Sequence, residues 1–420
     1  MKKILFVAMQ NSPHAMRWIN QLEGSDYEVE LFPNSPYKPH ESLKKIRIHQ
    51  SNLIRACHYL RGCCQNIVDR ISGNKLAQIK KFLRVPFVLL MMGIDFFLMA
   101  IDSLELSFFG FKYSYRSVYY GQKRLNKIIT KIRPDLVHSL EFQNCSYVVL
   151  DAKSSFNGVF PKWAATNWGS DIYYYQKINT HVPILKKLLN SIDYYLCECK
   201  RDITLAENLG YSGPTFPAIP NVGGFDLRSI SVKRSYTPTS ERRVIAIKGY
   251  ENFTGKAITA LKAIQACEKE LLGYEVVVYS CSHETTDFIK ILQKTTCINI
   301  RSLDKCSPDK ILELFGRARI YMGLGLSDGI SISMIEAMAL GAFPIQTNTS
   351  CCEEWFESGK GGFSVTLDDF PDIVSKLRVA IKDDLLVSGA ADINWNIIQE
   401  RADIEKNRKK VLTLYHEILD

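Results

Sequence analysis

The sequence predicts an α/β protein made of two doubly wound parallel-sheet domains that face each other across a cleft. Three observations predict it. At 420 residues the chain exceeds one ordinary core and suits two domains of about 200 residues each. Short apolar runs rich in Val, Ile and aromatic residues alternate with helix-like segments, the signature of parallel sheets buried on both faces. One stretch, "PNVGGFDLRSISVKRSYTPTSERR" at 220–243, follows neither pattern and reads as the join between the halves.

In chain order, the first half offers the strands "KILFVAM", "YEVELFP", "DLVHSLEF", "KWAATNW" and "YYLCEC". The second offers "RRVIAIKGY", "YEVVVYS", "CINIRSL", "RIYMGLGL" and "AFPIQT". The first domain is therefore expected over residues 1–225, a hinge over 226–243, and the second domain over 244–395. The segment 396–420, with helical periodicity and a charged face, is expected as a terminal helix across the domains. The opening "MKKILFVAMQNSPHAM" mimics a signal peptide, but its apolar run is short and ends without a small-residue cleavage site. A first strand followed by a loop fits better.

Residues 45–130 break the alternation. A basic stretch carrying Arg55, Arg61, Arg70, Lys75, Lys80, Lys81 and Arg84 precedes "VPFVLLMMGIDFFLMAI" at 85–101. That run is shorter than the roughly 20 residues of a spanning helix, and Asp95 near its middle is costly in a bilayer. A monotopic segment over residues 52–101, its basic residues on anionic headgroups, is the expectation. The competing reading is a helix buried in the first domain or at a subunit contact.

A formal charge of +9 suits anionic partners such as nucleotide diphosphates or phospholipids. No nucleic-acid module is apparent, so nucleic acid is not expected as a partner. The twelve cysteines show no C-x-x-C and no zinc spacing, which points to buried free thiols in a reducing cytoplasm.

The stretch "SDGISISMIEAMALGAFPIQ" at 327–346 carries the chemistry. Its plainest reading is structural: Ser333 and Glu336 have capping-box spacing, and "SDG" is turn chemistry. Its context supports a second reading. The segment follows a strand, where parallel α/β domains bind ligands, and its glycines precede a helix N-terminus that offers free N–H groups to phosphates. Glu336 then suits a ribose diol, and Asp328 a sugar further along the ligand. On these residues alone both readings stand.

The pattern D-G-x-x-x-x-x-x-E-A-M-A-x-G-x-F-P-I resembles the E-x7-E region of glycosyltransferase family 4, with Asp328 in place of the usual Glu. The resemblance covers residues 1–20 and 130–420 and implies the GT-B fold, two Rossmann-like domains about a cleft. It further implies hexosyl transfer with retention, no cofactor and no obligatory metal. It assigns catalytic roles to Asp328, His138 and Lys248, and donor contacts to Lys248, Gly249, Lys256, Asp328, Gly329, Ser331 and Glu336.

Its remaining assignments are acceptor contacts. These fall to His14 and Arg17 in the first loop and to Asp171 in "NWGSDIYYY", with Glu141 at a loop edge as a weaker candidate. Asp171 reads equally well as a helix cap, His138 as a satisfied core histidine, and the two lysines as solvated. Arg201 and Asp202 read as a mutual pair, and Glu354 and Trp355 as closing the donor pocket. The implied partners are a nucleotide-sugar and a glycan or polyprenyl-diphosphate-linked acceptor, on the cytoplasmic face of the inner membrane, in surface-polysaccharide assembly. A nucleotide-sugar epimerase on the same fold and a non-catalytic subunit are the rivals.

Overall fold

The structure, a computed structural model, describes all residues except 73–78, 104, 109–110, 115–119, 253 and 304–305, and side chains outside 69–84 and 101–119. Among the described residues the strands are β1 (Lys2–Ala8), β2 (Tyr27–Pro33), β3 (Arg47–Ile48), β4 (Glu105–Phe108), β5 (Phe111–Ser114), β6 (Leu136–Leu140) and β7 (Lys162–Thr166). There follow β8 (Tyr194–Leu196), β9 (Val244–Lys248), β10 (Glu275–Tyr279), β11 (Ile300–Leu303), β12 (Ala318–Gly323), β13 (Phe343–Thr347) and β14 (Phe363–Val365). The first large sheet runs β3-β2-β1-β6-β7-β8 and the second β11-β10-β9-β12-β13-β14. Both are parallel throughout.

Each expected run is a strand, and the central ones are apolar on both faces with helices covering both sides. In the second domain Ile245, Ile247, Val276 and Val278 pack on one face, and Ala246, Val277 and Tyr279 on the other. Strand order reverses at β1/β6 and at β9/β12, and open α/β sheets bind ligands at such switch points.

The chain crosses between domains near Gly223 and Gly224 and returns near Ala402. The Phe225 N–H donates to the Ala402 carbonyl at 2.7 Å, and the Ile404 N–H to the Phe225 carbonyl at 3.0 Å. The expected hinge is partly ordered, with a helix at Leu227–Lys233. The terminal segment is also not one helix. Asp384–Arg401 ends on the second domain, and Ile404–Leu419 returns to the first. There Val411, Leu414, Tyr415 and Ile418 pack on Ile4, Phe6, Leu31 and Leu136.

The insertion forms two helices, Asn52–Ser72 and Ile79–Ser103. Their inner sides meet through Ile54, Ile94 and Leu98, and Tyr120 joins that cluster. Arg61 donates to both Asp95 carboxylate oxygens at 2.6 and 3.0 Å, so that acid has its counter-charge within the hairpin. The apolar run is not buried in the domain, since Leu89, Met92, Phe96 and Met99 are exposed. Among the described residues no helix is long and apolar enough to cross a membrane. Arg70, Lys75, Lys80, Lys81 and Arg84 lie outside the described side chains. All twelve cysteines are free thiols.

Gly224 has φ +100°, and a β-carbon there would lie 2.3 Å from the Ala402 carbonyl oxygen. Gly224→Ala should therefore destabilise the protein by about 1–3 kcal/mol. Urea unfolding checks this, and a wild-type midpoint would contradict the tightness of the crossover.

Candidate active site

The cleft lies where the carboxyl ends of β9, β10 and β12 face the first helix of the N-terminal domain. Its central cavity of about 520 Å³ is lined by Lys248, Tyr279, Ser280, Asp328, Ser333 and Glu336 from one side, and by His14, Arg17 and Ser170 from the other. A narrower recess continues past Thr254, Gly255, Gly325, Ser331 and Thr347.

Local chemistry shapes the recess. The Asn252 Oδ1 accepts from the N–H groups of Thr254 and Gly255, both at 2.8 Å, an Asx turn. The Lys256 N–H donates to the Leu324 carbonyl at 2.9 Å, stitching this loop to the one after β12. Gly325 has no room for a side chain, because a β-carbon would meet the Thr254 carbonyl oxygen at 2.6 Å. Two tight loops thus bring backbone, not side chains, to the cavity wall.

Charge is concentrated in the centre. Lys248 ends β9 and is partly buried. Burial pulls its ammonium down, but Tyr321, Asp328, Tyr250 and Glu336 outweigh that and hold it above its ordinary value. Asp328 is raised by burial against the pull of Lys248. Glu336 is pushed up to about 7 by burial, with Arg17 and Lys248 pulling back. One cation flanked by two desolvated carboxyls is poised for a ligand with anionic and hydroxyl groups.

The domains meet along one side of this cavity. The Ser327 hydroxyl donates to the Ser170 hydroxyl at 2.9 Å. Arg201 donates to the carbonyls of Thr349 at 2.8 Å and Asp328 at 2.9 Å, and its guanidinium also pairs with Asp202 at 2.8 Å. The buried Glu198 accepts from the Ile330 N–H at 3.1 Å and the Asn221 N–H at 3.3 Å. Burial first, and then Asp328, push Glu198 up to about 8. Sequence reasoning missed Glu198. The available signal was an acid among buried cysteines just past a strand end.

Several expected residues stand elsewhere. His138 is no cleft residue. It is fully buried on β6 with Nδ1 hydrogen-bonded to the Tyr415 hydroxyl at 2.6 Å and Nε2 to Thr166 Oγ1 at 2.7 Å. Burial depresses its pKa to about 3, so it is a neutral, satisfied core histidine. Asp171 accepts from the N–H groups of Phe142 at 3.0 Å and Trp168 at 2.9 Å and fastens two loops rather than an acceptor. Glu141 turns inward and accepts from the N–H groups of Asn144 and Cys145.

In the second domain, Lys256 Nζ sits 3.4 Å from Glu251 and lines neither the cavity nor the recess. The Gly249 N–H is already bonded to the Tyr279 carbonyl at 2.8 Å. The Gly329 N–H is bonded to the Asp328 carboxylate at 3.0 Å. The capping box is not formed either, because the helix Ile332–Ala339 starts from Ser331 without a side-chain cap bond. Ser333 is thereby freed to line the cavity. Glu354 points to the N-terminus of the helix Lys200–Asn208, and Trp355 is buried beneath it, so neither closes the donor pocket.

Residues 104–198 match the family described as glycosyl transferase 4-like. Over that segment the chain is similar to glycosyl transferase 4-like proteins. Solved structures agree on the architecture, a GT-B fold. Sucrose-phosphate synthase from Thermosynechococcus elongatus has a TM-score of 0.67 at 12% identity, with 100% of this chain and 99% of that one covered. HepE from Anabaena in complex with UDP-glucose has 0.63 at 12%, covering 99% and 100%. TarM of S. aureus has 0.65 at 11%, covering 99% of both. At these identities the likeness shows the fold. No curated protein matches the sequence.

The site makes stability depend on pH. Glu336 and Glu198 have folded pKa values of about 7 and about 8, above the roughly 4.3 of an unfolded Glu. Between those values the folded protein keeps protons that the unfolded chain has released. Stability of the ligand-free protein should therefore fall as pH rises through this window. Urea midpoints from about pH 5 to about pH 8.5 check it. Glu198→Gln should flatten the fall, and an unchanged slope would contradict the burial of that acid.

Proposed function

We propose that this chain is a retaining hexosyltransferase moving a sugar from a nucleotide-sugar to a glycan or lipid-linked acceptor. One observation carries the proposal: Lys248, Asp328 and Glu336 converge on one interdomain cavity at the β9/β12 switch point. In this reading Lys248 faces the diphosphate and stabilises charge as the nucleotide departs, where electrostatic catalysis is most effective. The N-terminus of the helix Ile332–Ala339 adds partial positive charge to the same group. Asp328 holds hydroxyls of the transferred sugar and Glu336 those of the ribose.

His14 and Arg17 stand opposite, on the helix Pro13–Asn20, where an acceptor enters. The interdomain bonds of Glu198, Arg201 and Ser170 exclude water from one flank and so limit donor hydrolysis. HepE has been crystallised with UDP-glucose, and a TarM variant with UDP, which supports a nucleotide-sugar as the donor here.

The acceptor's setting follows from the hairpin. Its exposed Leu89, Met92, Phe96 and Met99 are read as resting in the interface of the cytoplasmic leaflet. That brings the cleft to a lipid-linked acceptor in surface-polysaccharide assembly.

Donor binding, variant kinetics and stability, product analysis and vesicle flotation test this reading. A thermal-shift panel of UDP-, GDP- and ADP-sugars should find one donor that stabilises by about 2–3 kcal/mol near a hundredfold its Kd. Lys248→Ala should lower kcat by about 10²–10³-fold, whereas His138→Ala should cost about 1–3 kcal/mol of stability by orphaning its partners and spare donor binding. Nucleotide release only when an acceptor is present would mark transfer, whereas epimerised nucleotide-sugar as the product would favour the epimerase. Flotation with anionic vesicles should be lost in Leu89→Glu/Phe96→Glu, and undiminished flotation would contradict the membrane assignment.

A further inference from the structure

The seam between the domains carries a second cluster, apart from the cavity. Cys199 from the first domain and Cys351 and Glu354 from the second bring two sulfurs and a carboxylate oxygen within 4.8 Å of one another. Both cysteines are buried. Each group is held in place by its backbone or its hydrogen bonds. Cys199 is the N-cap of the helix Lys200–Asn208, with extended backbone at φ −141° and ψ 150°. Cys351 takes a left-handed turn at φ 51° and ψ 35°. Glu354 accepts from the N–H groups of Lys200 at 3.0 Å and Arg201 at 3.1 Å. A carboxylate has about four acceptor sites, so these two bonds orient it and leave lone pairs for a ligand.

We propose that Cys199, Cys351 and Glu354 bind one thiophilic divalent cation of the zinc class, in a site completed only when the two domains close. Two thiolates and a carboxylate are ligands of this class, and the fourth position falls to water. Ligand atoms around a tetrahedral zinc, at bond lengths of about 2.0–2.3 Å, also lie within 4.8 Å of one another.

On binding, each S–H bond breaks, its proton goes to water, and a sulfur–metal bond replaces it without electron transfer. In the metal-free protein a hydrogen bond with Cys351, burial and Asp202 hold the Cys199 thiol protonated, so the cation must displace that proton. Arg201 opposes the cation, but its guanidinium is already paired with Asp202 at 2.8 Å. Because Cys199 rides on one domain and the other two ligands on its partner domain, an opened cleft loses a ligand. The cation therefore holds the closed form.

The test uses the full-length, reduced protein with Co²⁺ as a spectroscopic probe and Zn²⁺ as competitor. One equivalent of Co²⁺ should give a sulfur-to-cobalt charge-transfer band that Zn²⁺ abolishes. Cys199→Ser and Cys351→Ser should each weaken binding at least about tenfold. Cys352→Ser should leave it intact, because that thiol turns to the Gln346 carbonyl. Zn²⁺, but not Mg²⁺, should raise the Tm of the wild type and not that of Cys199→Ser. Should Cys351→Ser fail to fold, Glu354→Gln takes its place. Absence of the band, its persistence in Cys199→Ser, or a metal-free Cys199–Cys351 disulfide in its stead would each overturn the site. None of these readouts depends on glycosyl transfer.

Discussion

The constraint on which the rest depends is the contact between Gly169 of the first domain and Gly329 of the second. A β-carbon on Gly169 would stand 1.9 Å from the Gly329 nitrogen, so only two glycines let these loop tips meet. The loop beginning at Ser327 then lies against Ser170, Glu198 and Arg201, and its carboxylate, Asp328, faces Lys248 across the cavity. Remove that approach and the loop that carries Asp328 loses its N-terminal wall. The seam thus joins closure to the placement of the charged groups.

Electrostatics follow from the same burial. Carboxyl groups held away from water are raised by desolvation, as at Glu336, Glu198 and Asp328. Lys248 remains charged because four neighbours outweigh its own desolvation. A ligand bearing a diphosphate would add negative charge beside that lysine. The protein spends stability to keep these groups dry, and binding recovers some of it.

What the sequence disclosed was whatever is local. Ten strands were legible as apolar runs, the three-residue edge strand β8 among them. The two-residue β3 and the three-residue β14 were not. That Lys248, Asp328 and Glu336 would gather at one cavity was legible because a strand end, a glycine loop and a helix start each have their own signature. The failures are long-range. His138 looked like a cleft residue at a strand end, yet its partner Tyr415 is 277 positions away. Glu354 reaches 154 positions back to Lys200. Such pairings exist only once both domains and the returning helix are in place, and so did the roles of Glu198 and Arg201.

The most direct measurement is a crystal structure of the protein with a nucleotide-sugar that stabilises it. The account predicts diphosphate oxygens within hydrogen-bond distance of Lys248 Nζ, the ribose hydroxyls on Glu336 and the sugar hydroxyls on Asp328. A ligand seated in the interdomain cavity with both carboxylates turned away from it, or seated elsewhere, would contradict the account.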